Sequence, residues 1–493
     1  MPLSATSDVL SNRFRWVYCQ LEALRHCLPP SVLGILEDLP ETLDETYERV
    51  LREVNKANRE YACRLLQCLT VALRPLRVEE LAEVLAIDFN TPAHGGIPQL
   101  NPNWRWADHH QAVLSTCSSL IAIVEDGDSQ VVQFSHFSVK EFLTSNRLAH
   151  SNGDVSRYHI THEPAHTILA QACLGVLLRL DDCVDRRNSS GIPLVQYAAR
   201  HLFDHAGFEK VASHIPVAME YFFDADKPHW APWTRIQEID ESWERFTRDG
   251  RANGALPLYY ASLGGFYDLA SYLVDKHPEH VNASGGRMVT PLIAALHEKH
   301  FQVAELLHQH GADVDVRGQS NATSLLVACI NGIPEIVQWL LNHGADVNAQ
   351  SNDSCAPIHS AVGWGHLQVV RMLLEHNADV DIRGGRYGMV PLHFAARSDE
   401  GGYSADIMQL LLSHGANPNA RDDDDSTPLH TSCWWEKEDC LPSQGTVEGT
   451  RLLLEHGAII DAEDSKGMTP LQLALRHRRH DIAACLLEHG ATR

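Results

Sequence analysis

The chain has 493 residues, enough at roughly 150 per domain for about three domains with cores of their own. Apolar residues make up 44% and charged residues 21%, which excludes a disordered or fibrous chain. The net charge of −24 is spread along the length, with 23 basic and 34 acidic groups in residues 1–250 against 17 and 30 in residues 251–493. No hidden basic domain exists to attract nucleic acid or an anionic membrane, so neither is expected as a partner.

Twelve cysteines fall at irregular spacings with no C-x-x-C pair, which argues against a zinc ribbon, a thioredoxin-like redox pair and a secreted disulfide framework. Met1 to Asn12 lacks a basic stretch followed by an apolar run, so no signal peptide is expected. The most apolar long stretch, Ala165 to Leu178, is interrupted by His166, Gln171 and Gly175 and is too short to span a bilayer. A cytoplasmic setting is the expectation.

From the N-terminus, residues 1–56 read as a helical segment and residues 57–150 as a winged helix. In the latter, Tyr61 to Leu73 is amphipathic, Arg74-Pro75 breaks it, and Val78 to Ala86 starts a second helix with acidic residues in its first turn. Leu120 to Val124 and Val131 to Phe134 flank Asp126-Gly127-Asp128, a hairpin signal, and a further helix follows. Helix, helix, hairpin, helix is the predicted outline, with Phe137, Phe142 and Leu143 in its core. Residues 151–253 are expected to form a helical adaptor. Ala165 to Leu178 and Pro193 to His205 read as helices, the second resembling a degenerate repeat, and Trp230 to Trp243 reads as aromatic and irregular.

Residues 254–493 carry two markers in phase. Pro-type positions at Pro257, Pro291, Ser324, Pro357, Pro391, Pro428 and Pro470 recur at steps of 34, 33, 33, 34, 37 and 42. The last six are each followed by a Gly-Ala or Asn-Ala pair: Gly311, Gly344, Asn377, Gly415, Gly457 and Gly490 begin them. Thr before Pro caps a helix, and Pro at its first position loses no hydrogen bond. Paired leucines such as Leu340-Leu341 mark a second helix, and the Gly after it ends that helix in the left-handed conformation. Longer spacings place insertions near Ser398 to Ser404 and Trp434 to Thr446, between the two helices of their repeats. This T-P-L-H-x-A pattern resembles the ankyrin repeat, implying a mainly α solenoid of about seven repeats.

Three stretches of the first half carry a further likeness: Arg13-Phe14-Arg15-Trp16-Val17-Tyr18-Cys19-Gln20-Leu21, Leu39-Pro40-Glu41-Thr42-Leu43-Asp44-Glu45-Thr46-Tyr47 and Arg74-Pro75-Leu76-Arg77-Val78-Glu79-Glu80-Leu81. They resemble the fungal NACHT and ankyrin-repeat proteins, relatives of the NOD-like receptors. The first half then corresponds to the segment after the NTPase core, and residues 1–56 to the end of a NACHT module. The core itself is missing, because no G-x-x-x-x-G-K-[ST] loop and no Gly-Lys dipeptide occur. Phe134-Ser135-His136-Phe137-Ser138 is similar to a stretch whose histidine, in that family, reaches bound ADP. The resemblance thus implies His136 as a nucleotide-sensing residue and a NACHT domain as a partner, while the residues alone favour a cap or packing role where strand meets helix.

His162-Glu163-Pro164-Ala165-His166 matches the H-E-x-x-H pattern of zinc hydrolases. Proline inside a helix is costly, so a helix start at Pro164 is expected, with His162 left outside and no third ligand following. His359, His393 and His430 occupy repeat positions expected to bond the neighbouring repeat's backbone. Asp422 to Asp425 reads as a solvated finger tip, since a calcium loop needs spaced ligands, a central Gly and a closing Glu. No catalytic residue, metal or cofactor is expected, and the chain reads as a non-enzymatic interaction module. It is either the regulatory arm of a NACHT-type NTPase or a free-standing scaffold, with a zinc hydrolase through His162 and His166 as the alternative of another class.

Function then rests on side chains the solenoid does not need for itself. These are His297 and Glu298, Asn331, Trp364, Arg386 and Tyr387, Asp423 and Asp424, Trp434 and Trp435, Lys466, and Arg476 with His477. Trp364 is the expected hot spot, and the acidic fingers point to a protein partner with a basic surface.

Overall fold

The computed structural model describes residues 42–89, 96–117, 119–127, 129–151, 153–181, 191–236, 255–285, 290–317, 321–385, 387–397, 404–433 and 447–492. The chain divides into two compact units, Met1–Lys276 and His277–Arg493. Among the described residues, no helix is long and apolar enough to cross a membrane. Of the three stretches that carry the NACHT likeness, the first lies wholly outside the described residues.

In the first unit, α1 (Leu43–Glu53) opens on a reciprocal cap, in which Thr42 Oγ1 accepts from the Glu45 N–H and the Glu45 carboxylate accepts from the Thr42 N–H. Then come α2 (Arg59–Val71), β1 (Leu76–Arg77), α3 (Val78–Leu85), a two-residue ribbon of β2 (Ile87–Asp88) and β3 (Gln99–Leu100), and α4 (His109–Cys117). The hairpin of β4 (Ile121–Asp126) and β5 (Ser129–Phe134) turns at Gly127 with φ +59°, and α5 (Phe137–Leu143) follows. β1, β5 and β4 form an antiparallel sheet in that order, Val132 lying opposite both Leu76 and Ile123. This is a winged helix, with Leu65, Leu66, Leu76, Leu81, Val84, Val113 and Val132 in its core. Two expectations need correcting. The outline lacked α4, whose His-His-Gln start and Ser-Thr-Cys end give no apolar stripe, although Ala112, Val113, Thr116 and Cys117 turn inward. Phe137 is 47% exposed and not core, because α5 buries the face of Val139, Phe142 and Leu143 instead.

α7 (His162–Leu177), preceded by the short α6 (Asn146–Ala149), packs along α8 (Val195–Ala206) and against α2. Here too the sequence expectation fails, since α7 starts at His162 and not at Pro164. Proline as the third residue costs little, because the N–H groups of a helix's first turn have no partner inside the helix. After α9 (Val211–His214) and α10 (Pro216–Phe222), the described part of the stretch expected to be irregular forms a helix, α11 (Trp230–Ile236), and residues 237–243 lie outside the described residues. Its ordering force is aromatic: Trp233 is fully buried with Trp230, Phe222 and Tyr260 at 5.0, 5.1 and 5.0 Å between ring centres. Tyr260 comes from α12 (Pro257–Leu263), which pairs with α13 (Tyr267–Lys276), so the first helix pair of the repeat series belongs to this unit.

The second unit holds, among the described residues, six helix pairs: α14 and α15 (Pro291–His297, Phe301–Gln309), α16 and α17 (Ser324–Asn331, Pro334–Asn342), α18 and α19 (Pro357–Gly363, Leu367–Glu375), α20 and α21 (Pro391–Arg397, Ser404–Ser413), α22 and α23 (Pro428–Cys433, Val447–Glu455), and α24 and α25 (Pro470–Arg476, His480–Glu488). Thr290, Thr323 and Thr469 cap their helices through the hydroxyl oxygen, as predicted. The marker glycines have φ between +84° and +92°, and Asn377 adopts +62°. Of the two insertions only Ser404 is among the described residues, and each falls in sequence between the helices of its pair.

Two hydrogen-bond ladders join these pairs, and a third set of bonds closes their second helices. The residue two after each finger's Asp, Asn or equivalent accepts from the backbone N–H opening the next finger: Asn282 from Asp313, Asp315 from Asp346, Asn348 from Asp379, Asp381 from Asn417, Asn419 from Ile459 and Asp461 from Thr492, at 2.7–3.1 Å. His359, His393 and His430 accept at Nδ1 from a backbone N–H of their own repeat and donate from Nε2 to a carbonyl beyond it, on Met389, Ser426 and Met468. His310, His343, His376, His414, His456 and His489 donate from Nδ1 to the carbonyl four residues back, closing the second helices.

A buried ion cluster anchors the first unit. Glu80, fully buried, accepts from Arg74 at 2.7 and 2.8 Å and from the Arg77 side chain and backbone at 3.0 and 2.9 Å. Burial alone would raise its carboxyl pKa, but these donors and two guanidinium charges outweigh burial and leave it below the usual value. Replacing Glu80 with Gln should therefore cost about 3 kcal/mol, the lower end for breaking a buried pair, since both arginines keep contact with water. Because the folded pKa is depressed, the wild-type advantage is present above about pH 4.3 and is lost as pH falls through the folded value. Urea unfolding of both proteins at pH 7 and pH 3 checks this, and an equal gap at the two pH values would contradict it.

Candidate functional site

The ladders decide which side chains are left over. Two clefts open in the second unit between finger and first helix, at equivalent positions two repeats apart. The larger, about 740 Å³, is lined by Asp353, Cys355, Gly385, Tyr387, Phe394 and Arg397 among others. The smaller, about 230 Å³, gathers Asp424, Lys466, Leu473, Arg476 and His477. Position by position, Asp353 matches Asp424, Tyr387 matches Lys466, Phe394 matches Leu473 and Arg397 matches Arg476. Each cleft thus offers a carboxylate on one finger, an apolar floor and a guanidinium at the helix end. Gly385 keeps the larger one open: its φ is +69°, and a Cβ there would sit 3.2 Å from the Phe394 ring.

The sequence-predicted residues separate into groups. Asp424, Lys466, Arg476 and His477 come together in one cleft and Tyr387 lines the other. Trp364 caps the C-terminus of α18 and is 47% exposed. Asn331 stands at the equivalent place on α16 and is exposed, while His297 and Glu298 bond each other at 2.8 Å. Asp423 pairs with Arg383 at 2.7 Å. Arg386, Trp434 and Trp435 lie outside the described residues. The finger of Asp422 to Asp425 is not simply solvated, because Asp422 is buried and accepts from the Asp424 and Ser426 N–H groups at 2.9 and 2.8 Å. Sequence reading missed Asp353, Arg397, Phe394 and Leu473, although the first two stand in periodic register with Asp424 and Arg476, which it did name.

In the first unit, His136 caps α5, its Nδ1 accepting from the Ser138 N–H at 3.3 Å and lying 2.6 Å from Ser138 Oγ, which is bonded to Tyr47. His162 and His166 do stand one turn apart on α7. The half-exposed Glu163 lies 3.3 Å from His214, and the His166 ring is buried flat on Phe208 with centroids 4.1 Å apart. His166 Nδ1 is 2.8 Å from His205 Nδ1, and His205 Nε2 is 2.8 Å from the Tyr197 hydroxyl, which accepts from the Leu73 N–H. Burial, then the charge of a neighbouring histidine, holds both rings towards neutral: His166, beside His162, is lowered, and His205, beside His166, is lowered to about 3.

Comparison with known proteins agrees with these two architectures. Three overlapping segments, 295–384, 325–422 and 392–492, match the ankyrin-repeat family, and residues 48–154 match the winged helix domain of GPI inositol-deacylase. The chain therefore carries ankyrin repeats and a winged-helix domain. A curated relative, the azaphilone pigments biosynthesis cluster protein L of Monascus ruber, is 29% identical over 291 residues, covering 55% of this chain and 60% of that protein. The chain thus spans less than two thirds of that relative's length. Among solved structures, the ankyrin repeat domain of Bcl-3, described as a unique member of the IkappaB protein family, matches at 26% identity with a TM-score of 0.40, over 48% of this chain and 99% of that one.

The buried histidine pair has a measurable consequence. Its folded pKa values lie below the ordinary 6.5, so its contribution to stability is complete above pH 6.5 and is lost as pH falls towards the folded values. Each histidine adds a slope of up to about 1.4 kcal/mol per pH unit. His205→Gln, which keeps a partner for Tyr197 but cannot titrate, should flatten urea midpoints measured between pH 7 and pH 5. An unchanged slope would place the titration elsewhere.

Proposed function

We propose that this chain is a non-enzymatic recognition module that holds a protein partner along the finger-and-helix side of its ankyrin repeats. Ankyrin repeats serve protein–protein binding, and one observation carries the reading to particular residues: the two clefts repeat the same carboxylate, apolar floor and guanidinium at equivalent positions. A site built twice in register suits an extended partner that inserts one side chain after another. The charge of −24 favours a partner with a basic surface, for which Asp353 and Asp424 supply the counter-charges. Against hydrolysis through H-E-x-x-H, the His166 ring is buried flat on Phe208, and His162, Glu163 and His166 do not gather into a three-ligand group.

The finer reading, a regulatory arm of a NACHT-type signalling NTPase, rests on the likeness of Phe134 to Ser138 to that family, whereas the cap that His136 makes on α5 is the role the residues alone favour. ADP-dependent binding of a separate NACHT domain, abolished in His136→Ala, is its test. Binding that ignores the substitution would favour the free-standing scaffold.

For the groove itself, a photo-crosslinking residue at Asn331 would capture the partner, whose affinity is then measured against variants. Trp364→Ala and Arg476→Ala should each weaken it by about 2 kcal/mol or roughly 30-fold, with the chain still folded. Full affinity in both variants would sink the proposal.

A further inference from the structure

Near the start of the second unit, Lys276-His277-Pro278-Glu279-His280 makes a short 3₁₀ turn over Pro278–His280. We infer that His277, Glu279 and His280 form a binding site for a divalent transition-metal ion, zinc foremost. This lies apart from the clefts and independent of the proposal made for them.

The geometry carries the inference. His277 Nδ1 is 3.3 Å and His280 Nε2 is 3.7 Å from the same oxygen, Glu279 Oε1. Ligands at zinc bond lengths of about 2.0–2.1 Å with tetrahedral angles stand about 3.3–3.4 Å from one another, so the Glu279 oxygen already stands within a few tenths of an ångström of that spacing from each nitrogen, while the two rings lie 4.8 Å apart between centres at 15°. As hydrogen bonds the same contacts are poor: one is at the long limit and the other beyond it. All three ligand atoms lie within 4.8 Å of one another, and no other such group of three occurs among the described residues.

The turn is held for this. Pro278 sets the backbone, and the His280 and Val281 N–H groups bond the carbonyls of His277 and Pro278 at 3.0 and 3.3 Å. Val281 is buried, and the next residue, Asn282, is the first rung of the finger ladder. The set therefore requires little ordering when an ion arrives. Both histidines are half-buried and Glu279 is exposed, which leaves the remaining coordination positions to water. Lys276, the nearest cation in sequence, lies within 3.9 Å of Asp224.

The chemistry selects the ion. Two imidazoles and one carboxylate suit zinc and its first-row neighbours, whereas magnesium and calcium require mostly oxygen.

The full chain carries 30 histidines, so the readout is a difference between variants. Zn²⁺ alone would be titrated into the metal-free chain against a chromophoric chelator. The expected result is one more bound ion per chain in wild type than in His277→Ala or His280→Ala. Glu279→Gln should weaken that ion by at least about tenfold, the lower bound that loss of even an outer partner sets. His162→Ala, in the unrelated H-E-x-x-H stretch, should bind as wild type does. Co²⁺ at this site should show tetrahedral d–d absorption that disappears in His280→Ala. Equal Zn²⁺ binding by wild type and both histidine variants, or loss in His162→Ala instead, would overturn the assignment.

Discussion

The second unit depends on one recurring interaction, the hand-over of a backbone N–H from one finger to the Asn or Asp of the finger before. Fingers are extended loops, and their amides have no helix or sheet partner of their own. Each is satisfied only when the preceding repeat is in place, with distances that stay within 2.7–3.1 Å over six rungs. The acceptors alternate without exception, Asn282, Asp315, Asn348, Asp381, Asn419 and Asp461, so acidic rungs are never adjacent. Spacing the carboxylates this way limits repulsion along a stack that is already strongly anionic.

Other features follow from that constraint. The histidines that donate across repeats must carry their proton on Nε2, because Nδ1 accepts from the chain. Burial keeps them neutral and therefore able to do both; His393, for example, is lowered to about 4. Finger amides, helix ends and paired leucines are committed to the stack, whereas Trp364 and the Asp353, Asp424, Phe394 and Leu473 side chains are not rungs of the ladders, so substitution there leaves the ladders intact.

The first unit uses a different device, a chain of buried polar groups passing through Tyr197. Arg74 binds Glu80 and lies over the Tyr197 ring with its centre 4.9 Å away, and the Tyr197 hydroxyl links Leu73 to His205. The winged helix is thereby tied to α7 and α8 by charge-assisted and aromatic contacts, beside purely apolar ones. A disturbance at Glu80 or at the histidine pair reaches the same residue from opposite sides.

The local rules were legible in the sequence. Thr-Pro caps, left-handed glycines, leucine pairs and the Asp-Gly-Asp turn act over a few residues, and repetition made them unmistakable. Packing decided the remainder. Nothing in Trp230 to Trp233 announces a helix until Phe222 and Tyr260 surround it, and α4 has no stripe of its own to show. His166 resembles a metal ligand in sequence and becomes the partner of His205, whereas His277 and His280 drew no notice until a 3₁₀ turn aimed them at one oxygen. Short-range geometry is written in neighbouring residues, but which polar groups meet, and which are left facing a partner, depends on contacts between residues far apart in the chain.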